Sequence, residues 1–429
     1  MFPTNPADSA ALLSRRAWFV LTMVFALSFV HFWVRTIPVR LANPDDVSFQ
    51  GVTDENTVAA FTSRNALEQG RFYFESPVFG WLFSAHYKVH QPWLYSLIRA
   101  GALFTQIGLA GWQLARITRR PAWGATLALF ILSTLHIPLT FYPVLSYPNF
   151  WIGFTAVLTA LHFHLSYLLR PGLVTGILTG ACFLLAGLMH EFFLVFLPLL
   201  LALAWLRPHP GWSGWLRANL VPLVTAGGYA VVFALFAREF PTHYAGTQFS
   251  SAIYPAGQVV VRQMAGIVPG FELLIRRLPP ETTGPLLRDL PEIIRTVTGI
   301  PWPDLLLGLV EAATLTGLLL HCARHPPSLG RHWPWALVFA AFLNLPIAFS
   351  QKYQIFILHR EFPYAYAFYS YFFLCLALIA APDWCLRRQS GSFNHRLLPS
   401  LVGLVIAALC LSAMASNYRV LQILQQRYN

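Results

Sequence analysis

Two pairs of neighbouring polar residues stand out as able to do chemistry. The first is Asp45 and Asp46 in LANPDDVSF, where Asn43 and Pro44 favour a turn that lets both side chains point the same way. One such carboxylate can take a proton from an attacking hydroxyl while the other positions that hydroxyl or holds a divalent cation. A plain acidic turn capping the next segment accounts for the same dipeptide. The second pair, His190 and Glu191, interrupts an otherwise apolar stretch running from 172 to 206. A charge at a bilayer centre costs about 2.5 kcal/mol or more on insertion scales, so this pair marks either a surface turn or a functional cavity. In a cavity, His190 and Glu191 could join Asp45 and Asp46 around one cation, or Glu191 could orient an acceptor.

The elements that must hold these residues are set by composition. Of 429 residues, 56% are hydrophobic and 11% charged, where a soluble domain carries about 25% charged residues. Crossing a bilayer core about 30 Å thick takes about 20 apolar residues in a helix. Eleven runs come close to that: 17–36, 93–114, 122–140, 149–169, 172–189, 192–206, 218–237, 303–323, 335–350, 365–382 and 397–415. The expected fold is therefore an all-α polytopic membrane protein with about 11 transmembrane helices and two larger outer loops carrying short amphipathic helices. Three parts follow: an N-terminal transmembrane module, 1–237, with a first outer loop at 37–92; an outer loop at 238–302; and a C-terminal transmembrane module, 303–429.

The net charge of +12 is a topology signal. With the N-terminus in the cytoplasm and helices alternating, thirteen arginines fall on the inner face against Asp8 and Asp383, a net of +11. Fourteen of the seventeen carboxylates fall outside or at outer helix ends, so the chemistry is expected to face away from the cytoplasm. Arg15 and Arg16 before the first apolar run resemble a secretory signal, but the run is too long for one and Arg40 disfavours cleavage after Ala42. An uncleaved first helix is expected. All five cysteines lie in expected helices or inner loops, which argues against disulfides or a Cys-based metal site outside.

In the first outer loop, Val58, Phe61, Ala66 and Leu67 recur at helical spacing over 54–68, and a short aromatic piece follows at 77–87. Both are expected to lie flat on the membrane, as are FELLIRRL and LLRDLPEIIRTV in the 238–302 loop. His162 and His164, two apart on a helix, do not share a face for a metal. No Gly-rich phosphate loop, Ser nucleophile motif or zinc-spaced Cys/His cluster is present.

The arrangement resembles the GT-C glycosyltransferases, polytopic enzymes that move a sugar from a polyprenyl-phosphate carrier to an acceptor on the outer membrane face. The resemblance rests on four features: Asp45 and Asp46 just after the first helix; the following loop with two surface helices; Gly70-Arg71 in EQGRFYF; and the hairpin GLMHEFFLVFLP with His190 and Glu191 at its tip. It covers about the first half of the chain. The Trp-Trp-Asp motif and long soluble C-terminal domain of oligosaccharyltransferases are missing, which disfavours protein N-glycosylation.

The resemblance implies an inverting transfer in a bacterial inner membrane. Its donor would be a polyprenyl-phosphate-linked sugar and its acceptor a periplasmic cell-envelope glycan or lipid-linked molecule, with Asp45 or Asp46 as base. A divalent cation, Mg or Mn, on Asp45, Asp46 and Glu191 is compatible with it but not required by the sequence. It further implies Arg71, Lys88, Arg99, Lys352 and Arg360 as contacts for the donor phosphate. For Arg99, snorkelling to the interface serves equally well; for Glu311, an interhelical contact is expected. Membrane lipid is the remaining partner and nucleic acid is not expected. Two rival readings are an O-antigen-polymerase or ligase-like enzyme, which would depend on arginines of the 238–302 loop, and a polytopic transporter.

Overall fold

The computed structural model describes residues 13–39, 91–135, 148–206, 211–242, 244, 245, 248–276, 286–358, 367–388 and 397–428. Asp45, Asp46, Arg71, Lys88 and Arg360 lie outside the described residues, as do the surface helices expected in the first outer loop.

Each of the eleven apolar runs carries helix within the described residues, nine of them as one helix, while 192–206 and 335–350 are interrupted. Helix α1 (Arg15–Thr36) starts where Ser14 Oγ accepts the Ala17 N–H at 3.2 Å, and Arg35 occupies its last turn. One side of it, with Phe19, Met23, Leu27, Val30 and Val34 all 44 to 68% exposed, faces outward, while Leu21, Val24 and Ser28 are buried. An apolar face left open at that spacing is lipid-facing. α2 (Pro92–Thr118) and α3 (Pro121–Thr134) form a hairpin, followed by a second hairpin of α4 (Pro148–Leu169) and α5 (Leu173–Met189). In the first hairpin the backbones nearly touch: a Cβ on Gly111 would sit 2.7 Å from the Gly124 carbonyl oxygen, the kind of close approach small residues allow between membrane helices.

The run at 192–206, expected to be a span, is instead broken. His190 is extended, a 3₁₀ turn runs Glu191–Phe196, and α6 (Leu197–Leu203) ends in another 3₁₀ turn. The physical reason is aromatic packing. Phe192, Phe193 and Phe196 all turn onto Tyr369, and Phe193 lies on Gly153, where any side chain would collide with its ring. α7 (Gly211–Glu239) then follows.

The 238–302 segment holds α8 (Ile253–Gly266), the single turn α9 (Phe271–Leu274), a two-residue antiparallel pairing of β1 (Ile275–Arg276) with β2 (Leu286–Leu287), and α10 (Leu290–Thr298). The expected surface helix FELLIRRL thus stops after FELL, because Ile275 and Arg276 extend to pair with Leu287 and Leu286. LLRDLPEIIRTV is helical only from Leu290 onward, but Leu290, Ile294 and Val297 do form an exposed apolar stripe on it, as a helix lying on a membrane presents.

The C-terminal part comprises α11 (Trp302–Arg324), α12 (Trp333–Phe342), α13 (Leu345–Ala348), α14 (Gln351–Leu358), α15 (Ala367–Arg388) and α16 (Leu397–Tyr428). Six helices, namely α1, α4, α7, α11, α15 and α16, are long and apolar enough to cross a membrane. α3, α5, the 191–203 stretch and the 333–348 stretch are apolar but shorter, and α2 is long but more polar, so the expected eleven full spans reduce to six of that length and composition among the described residues. The chain is a multi-pass, all-helical membrane protein.

The helix ends sort into two groups. At one end, Trp123 Nε1 at the start of α3 donates to the Pro327 carbonyl at 3.1 Å, and Arg387 near the end of α15 donates to the Cys322 and His325 carbonyls at 2.9 and 2.6 Å. This is the arginine-rich end. At the opposite end the terminus of α1 meets the starts of α2 and α11: Trp33 Nε1 donates to the Trp93 carbonyl at 3.0 Å, and Thr36 and Ser96 share a hydrogen bond of 2.5 Å. α16, at about 1.5 Å per residue, is some 48 Å long and overshoots a 30 Å core by several turns at this end.

Candidate functional site

The described site residues gather at this opposite end, in two groups. Arg99, 1% exposed, does not snorkel. Its guanidinium donates to the Thr36 carbonyl at 2.9 Å and the Val39 carbonyl at 3.4 Å, so a cation caps the C-terminus of α1, where the helix dipole is negative. The same guanidinium lies 4.9 Å from the centre of the Tyr95 ring, which packs on Trp151 at 5.6 Å. Next in the chain, Phe150 stacks on His190 at 5.4 Å. An aromatic layer therefore joins Arg99 to the His190–Glu191 turn.

His190 is buried, and its Nδ1 accepts the Phe192 N–H at 3.1 Å, which caps the 3₁₀ turn. Glu191 Oε2 sits 3.4 Å from the same nitrogen, with its side chain 27% exposed. The pair sits where α5 gives way to the 3₁₀ turn, with His190 buried and Glu191 partly exposed. Lys352 belongs to another network: its Nζ donates to Tyr244 Oη at 2.9 Å, and its backbone N–H donates to the Ala245 carbonyl at 3.0 Å. His162 and His164 diverge: Arg116 reaches His162 from α2, while His164 is buried and stacks toward Tyr167.

The second group was missed in the sequence. Arg35 Nη2 on α1 donates to both oxygens of Asp304 on α11, at 2.7 and 2.6 Å, and His31 Nε2 lies 3.2 Å from Asp304 Oδ1. The Asp304 side chain is 8% exposed; those of His31 and Arg35 are 33% and 38% exposed, although the His31 Nε2 atom facing the acid is buried, so the buried acid is met by one base that reaches the surface, Arg35. Two turns deeper, Ser28 donates to Glu311 Oε1 at 2.5 Å, the interhelical contact expected for Glu311. A cavity of about 290 Å³ runs along this ladder between α1, α3, α11 and α16. Its other wall carries Asn417, Tyr418, Gln422 and Gln425 of α16. A second space of about 550 Å³, lined by α10 and α16, adjoins it and shares Tyr418 and Gln422.

A signal for this cluster existed. Ser28, His31 and Arg35 recur at i, i+3 and i+7, and Asp304 and Glu311 at i and i+7, so each helix carries one polar stripe in an apolar sequence. Both carboxylates are already held by partners from α1, so the crevice offers a line of hydrogen-bonding groups with little net charge. Among the described residues no three His, Cys, Asp or Glu side chains are grouped to hold a metal ion. No protein-family model, curated protein or solved structure matches the chain.

Proposed function

We propose that this protein is a membrane glycosyltransferase that moves a sugar from a polyprenyl-phosphate donor to an acceptor hydroxyl at the end of the bundle opposite the arginine-rich one. In this reading the arginine-rich end lies in the cytoplasm of a bacterial cell and the transfer faces the periplasm. The observation that carries it is a convergence around the C-terminus of α1: the acid-bearing loop leaves at Val39, the carbonyls there are gripped by buried Arg99, and a polar crevice runs down the other side of the same helix.

Asp45 and Asp46 follow Val39 by six and seven residues. One of them accepts the proton of the acceptor hydroxyl as that oxygen bonds to the anomeric carbon. The bond from that carbon to the carrier phosphate breaks and its electron pair leaves with the phosphate, so one displacement inverts the centre. Arg71, Lys88, Lys352 or Arg360 would take up the charge on the departing phosphate. Arg99 acts as a positioning residue, fixing where the acid-bearing segment leaves the membrane. A divalent cation, if used, would be held by Asp45, Asp46 and Glu191, and it would favour loss of the acceptor hydroxyl's proton.

The test is transfer of labelled sugar from a synthetic polyprenyl-phosphate donor in membranes holding the wild type, Asp45→Asn or Asp46→Asn. Loss of a general base costs about 10²- to 10⁴-fold, and a loss of that size is expected in at least one variant. Undiminished transfer in both overturns the mechanism. Reporter fusions after Gln91 and after Arg120 should report opposite sides of the membrane, and the same side for both overturns the orientation.

A further inference from the structure

We infer that the crevice between α1, α11 and α16 binds a neutral, hydroxyl-rich group: the sugar moiety of a glycan or of a glycolipid headgroup. Three classes of ligand compete for such a space, and the observations separate them. An anion is disfavoured because Arg35, the strongest cation in the crevice, already donates to both oxygens of Asp304, while Glu311 lines the same wall. A phosphate entering there would have to displace one carboxylate and face another. A divalent cation is disfavoured because Asp304 is already occupied by Arg35 and His31, and Glu311 is seven residues further along α11, about 10 Å by helical rise, too far to share an ion.

What remains suits hydroxyls. The carboxamides of Gln422 and Gln425 each combine donors with an acceptor, and the carboxylates of Asp304 and Glu311 accept, while Asn417 donates to the Leu135 carbonyl at 2.7 Å and shapes the wall. A sugar hydroxyl is both donor and acceptor, so it matches this mixed wall as neither a phosphate nor a metal does. Tyr418, shared by the two adjoining spaces, adds an aromatic ring against which the apolar edge of a sugar can rest. The crevice volume of about 290 Å³ is near the lower end of small-molecule sites, about 300 Å³, while the adjoining space is lined by Asp289, Glu292, Arg295 and Arg419 and is not part of the proposed site. The position also fits a headgroup, since Val34 of α1 and Leu306 of α11 beside the ion pair are 51% exposed and lipid-facing. The binding does not rest on the transferase reading; if that reading holds, the bound sugar belongs to the acceptor.

The experiment places the full chain in phospholipid nanodiscs and measures binding by saturation-transfer NMR. The probes are methyl glycosides of glucose, galactose and mannose, the matching dodecyl glycosides, and inorganic phosphate. At least one glycoside should bind, and Gln425→Leu, which leaves the Arg35–Asp304 pair in place, should weaken it about tenfold, with Asp304→Asn weakening it at least as much. Binding of a methyl glycoside identifies a free glycan; binding of dodecyl glycosides alone, still weakened by Gln425→Leu, identifies a glycolipid headgroup. No glycoside binding, binding unchanged in both variants, or displacement of a bound glycoside by phosphate overturns the inference. Asp45→Asn should retain binding, so a failed transferase reading with a sound binding site is recognised by glycosides that bind to a protein whose transfer ignores both acids.

Discussion

Asp383 and Asp304 are both buried aspartates paired with an arginine, at opposite ends of the bundle, and they do opposite things. Asp383 is fully enclosed by four donors: Ser328 Oγ at 2.7 Å, the N–H groups of Leu329 and Gly330 at 2.8 and 3.0 Å, and Arg387 Nε at 2.8 Å. Arg387 Nη2 in turn donates to two carbonyls at the end of α11. The carboxylate itself is sealed from any ligand, and the loop before α12 is clamped so tightly on α15 that a Cβ on Gly330 would lie 2.6 Å from that of Trp384. Asp304, by contrast, is held by His31 and by Arg35, which reaches the surface, and it borders a cavity. A buried acid whose acceptors are used up by backbone is a staple; one that faces a space is a site.

The comparison can be broken by substitution. The largest effect should come from Asp383→Ala, which strands two backbone N–H groups, a hydroxyl and a guanidinium. Losing one partner of a buried pair costs about 3 to 5 kcal/mol, so thermal unfolding in nanodiscs should fall steeply, with any loss of transfer tracking the loss of folded protein. A mild effect would mean that water or neighbouring groups replace the carboxylate, and the staple reading would fail.

Asp304→Asn should separate stability from function. Arg35 reaches water, so the stability loss is expected to be about 1 kcal/mol, while glycoside binding falls about tenfold or more. If unfolding temperature and binding drop together as they do for Asp383→Ala, the two ends are alike after all. Arg387→Lys should cost about 1 to 2 kcal/mol by losing the forked contact to Asp383 and two carbonyls, with glycoside binding unchanged. The smallest stability effect is expected for Gln425→Leu, within about 0.5 kcal/mol, because Gln425 lines the crevice without belonging to the ion pair. A clear destabilisation there would recast the crevice wall as structural packing.

Much of the architecture was legible in the chain. Runs of apolar residues are a local property, and each of the eleven carries helix where it is described. The placement of the arginines was equally local, and the Trp123, Arg387 and Asp383 contacts cluster where those arginines are. Less legible was the break at His190: fifteen apolar residues at 192–206 read as a span, but the phenylalanines among them fold back onto Tyr369, whose position depends on a helix more than 160 residues away. Arg99 was legible as an intramembrane cation and not as a cap, because its acceptors are carbonyls of α1, which carry no sequence signal. The crevice escaped because its halves are two weak stripes, each ordinary alone, that acquire meaning only when α1 and α11 lie side by side.

The sequence by itself determined that this is a helical membrane protein, where its helices run, and which ends carry the positive charge. Those follow from hydropathy and charge, which act residue by residue against lipid and water. Only the tertiary structure decided which buried acids are spent on backbone and which line a space, since that depends on which helices meet, and helix pairing in a bilayer is set by side-chain packing and interhelical hydrogen bonds that apolar composition does not encode.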